Sequence, residues 1–98
     1  MELIFMRTLH FTRLLRTNQK LKEFNFIRFG SSLKDIFDVD VVDDRGNRIM
    51  FKTHKENEAW KIIPQPNLPE WVIQAEDMMD EAIREEISLK LAAINTYH

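Results

Sequence analysis

The chain has 98 residues, 44% of them hydrophobic and 31% charged, with two glycines, three prolines and no cysteine. This length supports one domain, and this composition excludes a disordered or fibrous chain. Without cysteine there are no disulfides, thiolate metal sites or thiol catalysis, and small secreted domains usually rely on disulfides, so a cytoplasmic setting is expected.

The opening residues, MELIFMRTLHF, break their apolar run at Arg7. No secretory signal is therefore expected, and no apolar run approaches the ~18 residues that cross a bilayer. The formal net charge is −2, unevenly spread: residues 1–34 carry seven Lys/Arg against two acids, and residues 35–98 carry seven against fourteen. Such a split has two explanations. Either the basic segment meets an anionic partner such as nucleic acid, or it packs beside the acidic remainder, within one chain or across a dimer.

Residues 1–22 form the hardest segment to read. On a helix over 8–22, Phe11, Leu14, Leu15 and Leu21 share one side, and Arg13, Arg16 and Lys20 lie opposite. Thr8, His10, Phe11, Thr12 and Thr17 are mediocre helix formers, so a strand over 3–9 or an early hairpin competes. The reading adopted is a helix, with an extra strand as its alternative.

Residues 23–29, EFNFIRF, read as a strand with Phe24 and Phe26 on one face and Ile27 and Phe29 on the other; Gly30-Ser31-Ser32 is a turn signal. Residues 35–62 read as a twice-folded ribbon. Asp43-Asp44-Arg45-Gly46-Asn47 suits a type I turn whose left-handed position takes Gly46. Pairing Asp43 with Asn47 sets Val41 opposite Ile49, Val39 opposite Phe51 and Phe37 opposite Thr53, all on the core side. The other side carries Val42 opposite Arg48, Asp40 opposite Met50 and Asp38 opposite Lys52, the last an ion pair. A third strand over 59–63 turns Trp60 and Ile62 inward if paired numbers sum to 111 or 113.

Pro64 and Pro66 end the sheet, and Asn67-Leu68-Pro69-Glu70 resembles a capping box, with the cap at Asn67 or one residue later. The helix that follows has a core stripe of Val72, Ala75, Met79, Ala82 and Ile83, with Trp71 and Met78 on its shoulder. Asp77, Asp80, Glu81, Arg84 and Glu85 make its solvent face. Glu86 falls inside the apolar stripe, so tight packing should end near 83–87.

Chemical signals are weak. His10, His54 and His98 stand far apart, and a zinc site needs three or four converging ligands. An EF-hand loop begun at Asp38 would need an acid or amide where Val42 stands and Gly where Asp43 stands. Asp38 and Asp40 share a strand face, and acid–base work would demand a buried cleft around them. Pro66 and Pro69 meet the minimal polyproline-ligand spacing but also simply link strand to helix. No catalytic, cofactor-binding or metal-binding residues are assigned.

The expected fold is α+β: an antiparallel three- to four-stranded β-meander with a C-terminal α-helix on one face. Residues 1–98 form one domain, with a sheet over 23–63, a linker over 64–68, a helix over 69–90 and a tail over 91–98. The expected function is a small non-enzymatic interaction module that self-associates, as a homodimer or with a protein partner. Surplus apolar residues at both ends (Leu3, Ile4, Phe5, Leu89, Leu91, Ile94) support it. The alternative is nucleic-acid binding through the basic segment. The contact residues for either are Arg7, Arg13, Arg16 and Lys20, although a pI near 5.9 is unusual for a dedicated nucleic-acid binder.

Overall fold

The computed structural model describes residues 8–29 and 35–95, the last two by their backbone. Arg7, Leu3, Ile4, Phe5, the turn at 30–32, Lys34 and His98 lie outside the described residues, as does the side chain of Ile94. Five antiparallel strands form one sheet in chain order: β1 (Leu9–Thr17), β2 (Lys20–Arg28), β3 (Ile36–Val42), β4 (Arg48–Glu56) and β5 (Ala59–Ile62). Two helices follow, α1 (Glu70–Ile73) and α2 (Glu76–Asn95). The sheet curls into a half-barrel, with the helices on its inner face. The class is α+β with an antiparallel meander, and the strand count is five rather than three or four.

The extra strand comes from the N-terminal segment. Residues 8–22 are not a helix: β1 and β2 form a hairpin in which Leu9 pairs with Arg28 and Thr17 with Lys20. The sheet therefore starts at residue 9, not 23. Asn18 (φ 49°) and Gln19 (φ 65°) make a two-residue turn with both φ positive, the type whose twist matches paired strands. Inward-facing Leu9, Phe11, Arg13, Leu15 and Thr17 alternate with exposed His10, Thr12, Leu14 and Arg16.

The β3–β4 register is the one the turn and the apolar alternation dictate, from Val42 opposite Arg48 to Ile36 opposite His54. The Asp43 amide donates to the Asn47 carbonyl at 2.9 Å, and Gly46 takes φ 86°. The Asp38–Lys52 ion pair forms. β5 turns Trp60 and Ile62 inward, but Thr53 pairs with Ile62, so paired numbers sum to 115. The reason is the turn: Asn57 (φ 52°) and Glu58 (φ 73°) form a second two-residue loop, later in the chain than a sum of 111 or 113 requires.

Inside the curl, Phe24, Phe26, Phe37, Val39, Val41, Phe51, Trp60 and Ile62 meet Val72, Ala75, Met79 and Ile83. Phe11 stacks on Phe26 with centroids 4.7 Å apart, and Phe37 meets Trp60 edge-on at 5.2 Å. Each such ring or branched chain contributes roughly 1.5–3 kcal/mol through burial.

The helix differs from its sequence reading in three respects. Asn67 sits at φ 66° and cannot cap, because a cap residue is extended. The cap is Pro69, with no side-chain bond. The helical run breaks at Gln74 and Ala75, where the Ala75 amide donates to Val72 in a tightened turn. Beyond residue 90, α2 continues to Asn95, so the tail from 91 is helical over most of its length.

Candidate interaction surface

The sequence assigns four cations to a contact role, and the fold distributes them. Arg13 points inward from β1 toward α2. Its Nη1 donates to Glu85 at 2.8 Å and its Nη2 to Glu86 at 3.2 Å. The Glu85 hydrogen bond, more than any other influence, raises the Arg13 pKa above its ordinary value. Arg16 lies on the outer face of the sheet, exposed, with no ion-pair partner among the described residues. Lys20 donates to Asp44 at 3.1 Å. Arg13, Arg16 and Lys20 therefore do not form one basic face; the helical reading that aligned them fails with the helix.

Besides buried Arg28, whose Nη2 lies 3.6 Å from Asp35, the charge split noted in the sequence is resolved within the chain at two places. One is the Arg13 clamp on α2. The other joins the β1–β2 hairpin to the β3–β4 turn, where Asp44 accepts from Lys20 and, at 2.7 Å, from Lys22. Those two lysines hold the Asp44 carboxyl below the usual carboxylate range. Lys22 is only 10% exposed, and its ammonium sits 5.0 Å from the Trp71 ring centroid, so one side chain ties the hairpin to the turn and to α1. Phe24 and Phe26 are fully buried and cannot stack on bases.

The two edges of the sheet are treated differently. On β5, the main-chain N–H of Trp60 donates to Asp80 at 2.8 Å and that of Ile62 to Glu76 at 2.7 Å. Asp80, read from the sequence as solvent-facing, is in fact half-buried at this edge. These carboxylates occupy the N–H groups that an added strand would need. On β1, the only paired neighbour among the described residues is β2. Thr17 and Lys20 flank a two-residue turn and are a hydrogen-bonded pair, so bonding alternates from there. His10, Thr12, Leu14 and Arg16 thus direct their N–H and C=O groups away from β2 along an edge that is open among the described residues.

The outer face of the sheet is mixed. Thr12 donates to Asn25 at 2.7 Å, Asn25 donates to Asp40 at 3.0 Å, and Arg48 lies 3.7 Å from Asp40. Asp38 and Asp40 are each engaged by neighbours on this face. Among this polar ladder stand exposed Leu14, Leu21, Val42 and Met50, and α2 adds exposed Leu89 and Leu91. Ser88 to Ala93 are all exposed, so the last turns of α2 project past the sheet.

Among the described residues no three His, Asp or Glu side chains gather as metal ligands, and no helix is long and apolar enough to cross a membrane. Sequence reasoning missed the partners Asp44, Glu76, Asp80 and Glu86. Only Glu86 carried a signal, as an acid inside an apolar stripe. Comparison with protein-family models, curated proteins and solved structures finds no match.

Proposed function

We propose that this chain is a small non-enzymatic interaction module that self-associates, in a cytoplasmic setting suited to a chain without cysteine. The observation that carries this reading is the open nine-residue edge of β1, beside an outer face where Leu14 is 61% exposed and Leu21 56%. A long uncovered edge is a template for another strand, and soluble monomers usually blunt such edges. The projecting end of α2, with Leu89 and Leu91, offers further apolar surface.

Nucleic-acid binding has less support: Arg13 and Lys20 are already paired, and the nearby phenylalanines are buried. Light scattering coupled to size exclusion, at two salt concentrations, tests the reading. A mass of two chains at tens of micromolar supports it. A single-chain mass throughout, with salt-sensitive binding to single-stranded nucleic acid that is lost in Arg16→Ala, would replace it with the alternative.

A further inference from the structure

We propose that the β1 edge docks the β1 edge of a second copy, antiparallel, with Leu14 on the two-fold axis. This rests on the self-association reading above and names its surface and register. The first argument is which edges are free. Glu76 and Asp80 occupy the N–H groups of β5, so an incoming β1 cannot add there. Pairing of β1 with β1 is left, and it is isologous: it uses the same groups on both copies, closes as a dimer and does not propagate.

The second argument is register. Residues whose N–H and C=O point outward must meet residues that do the same. With Leu14 on the axis, Leu14 faces Leu14 and Thr12 faces Arg16 of the second copy, an exchange of about six main-chain hydrogen bonds. The two exposed leucines then cover each other on the outer face. Within each copy Glu23 sits opposite Leu14, and Arg16 opposite Leu21. Neither Glu23 nor Arg16 has an ion-pair partner among the described residues. The axis therefore surrounds the leucine pair with two free cations and two free anions. A register centred on Arg13 instead sets two guanidinium groups face to face and Arg16 beside His10. A register centred on Thr12 leaves each Leu14 against His10.

The chain has no cysteine, so Leu14→Cys introduces a single reporter thiol. Hydrogen-bonded antiparallel partners place their Cα atoms about 5.5 Å apart, inside the range a disulfide spans. Under mild oxidation at tens of micromolar, L14C is expected to cross-link to a dimer at least about ten-fold faster than Met50→Cys, which is equally exposed but three strands away. Leu14→Lys keeps the fold, because the position is exposed, and is expected to raise the dimer dissociation constant at least about ten-fold. Cross-linking of L14C no faster than M50C overturns the proposal. If the unmodified chain is still a dimer in that case, self-association stands and this edge is not its site. If the unmodified chain is a monomer at every concentration, both readings fall.

Discussion

Arg13 and Glu86 lie 73 positions apart in the chain, and their side chains meet at 3.2 Å. Glu86, only 16% exposed, is the acid that interrupts the apolar stripe of α2, and Arg13 is the guanidinium that points into the half-barrel. Each compensates the other's misplacement. Arg13→Ala leaves Glu86 half-buried without its partner and should lower stability by about 1–2 kcal/mol in urea unfolding, below the cost at a fully buried pair because solvent still reaches both groups. Replacing both residues with Met should recover most of that loss. A double replacement as damaging as the sum of the singles would show that the two residues are not coupled.

The carboxylates on the β5 edge should be separable from ordinary surface charges. Asp80→Ala strands the main-chain N–H of Trp60, a buried residue, and should cost about 1–3 kcal/mol. Asp80→Asn keeps an acceptor and should cost less. Amide hydrogen exchange gives the sharper test: protection at Trp60 should fall in the alanine variant while Ile62, held by Glu76, keeps most of its own.

Gly46 has φ 86°, and an added Cβ there meets nothing within 4 Å. The penalty of Gly46→Ala is therefore conformational alone, about 1–2 kcal/mol. Gly46→Asn should cost less, since Asn tolerates the left-handed region. Thermal unfolding of the two variants should rank them in that order.

Two carboxyl groups at the β3–β4 turn link stability to pH. The Asn47 main-chain N–H is the main cause of the low Asp43 pKa, and the hydrogen bond from Lys22 is the main cause of the low Asp44 pKa. A pKa lower in the folded state than in the unfolded one gives stability that is present above the unfolded value and lost as pH falls through the folded one. Melting temperature should hold steady above about pH 5 and decline below about pH 4. Asp44→Asn should flatten that decline most at low salt, whereas Asp43→Asn should act at any salt, because its partners are mainly main-chain amides beside it.

The β3–β4 hairpin was legible because two independent signals coincide there: a glycine at the one position that needs left-handed backbone, and apolar residues on alternate positions. The β1–β2 hairpin offered neither. Its turn, Asn18-Gln19, takes positive φ without glycine, and its inward row includes Arg13 while its outward row includes Leu14. An apolar count along 8–22 therefore fits a helix as well as a strand. Asn57-Glu58 misled in the same way and shifted β5.

The candidate contact surface was less legible than the fold. Cations on the basic segment could be counted, but their partners Asp44, Glu85 and Glu86 arrive from distant turns, which local spacing does not encode. Asn67 shows the limit from the other side: the residue types of a capping box were present, but the backbone at Asn67 is left-handed. Side-chain chemistry alone does not establish a cap.

The reach of α2 from the β5 edge to Arg13 also sets an order on the ribosome. All five strands pair with their sequence neighbours, so the hairpins can form as they emerge, whereas the clamp on Arg13 needs residues 72 and 73 positions later. Until α2 has been synthesised, β5 keeps its N–H groups bare and the concave face stays wet. The nascent sheet is then uncovered on its concave face, and synthesis of α2 closes both that face and the β5 edge.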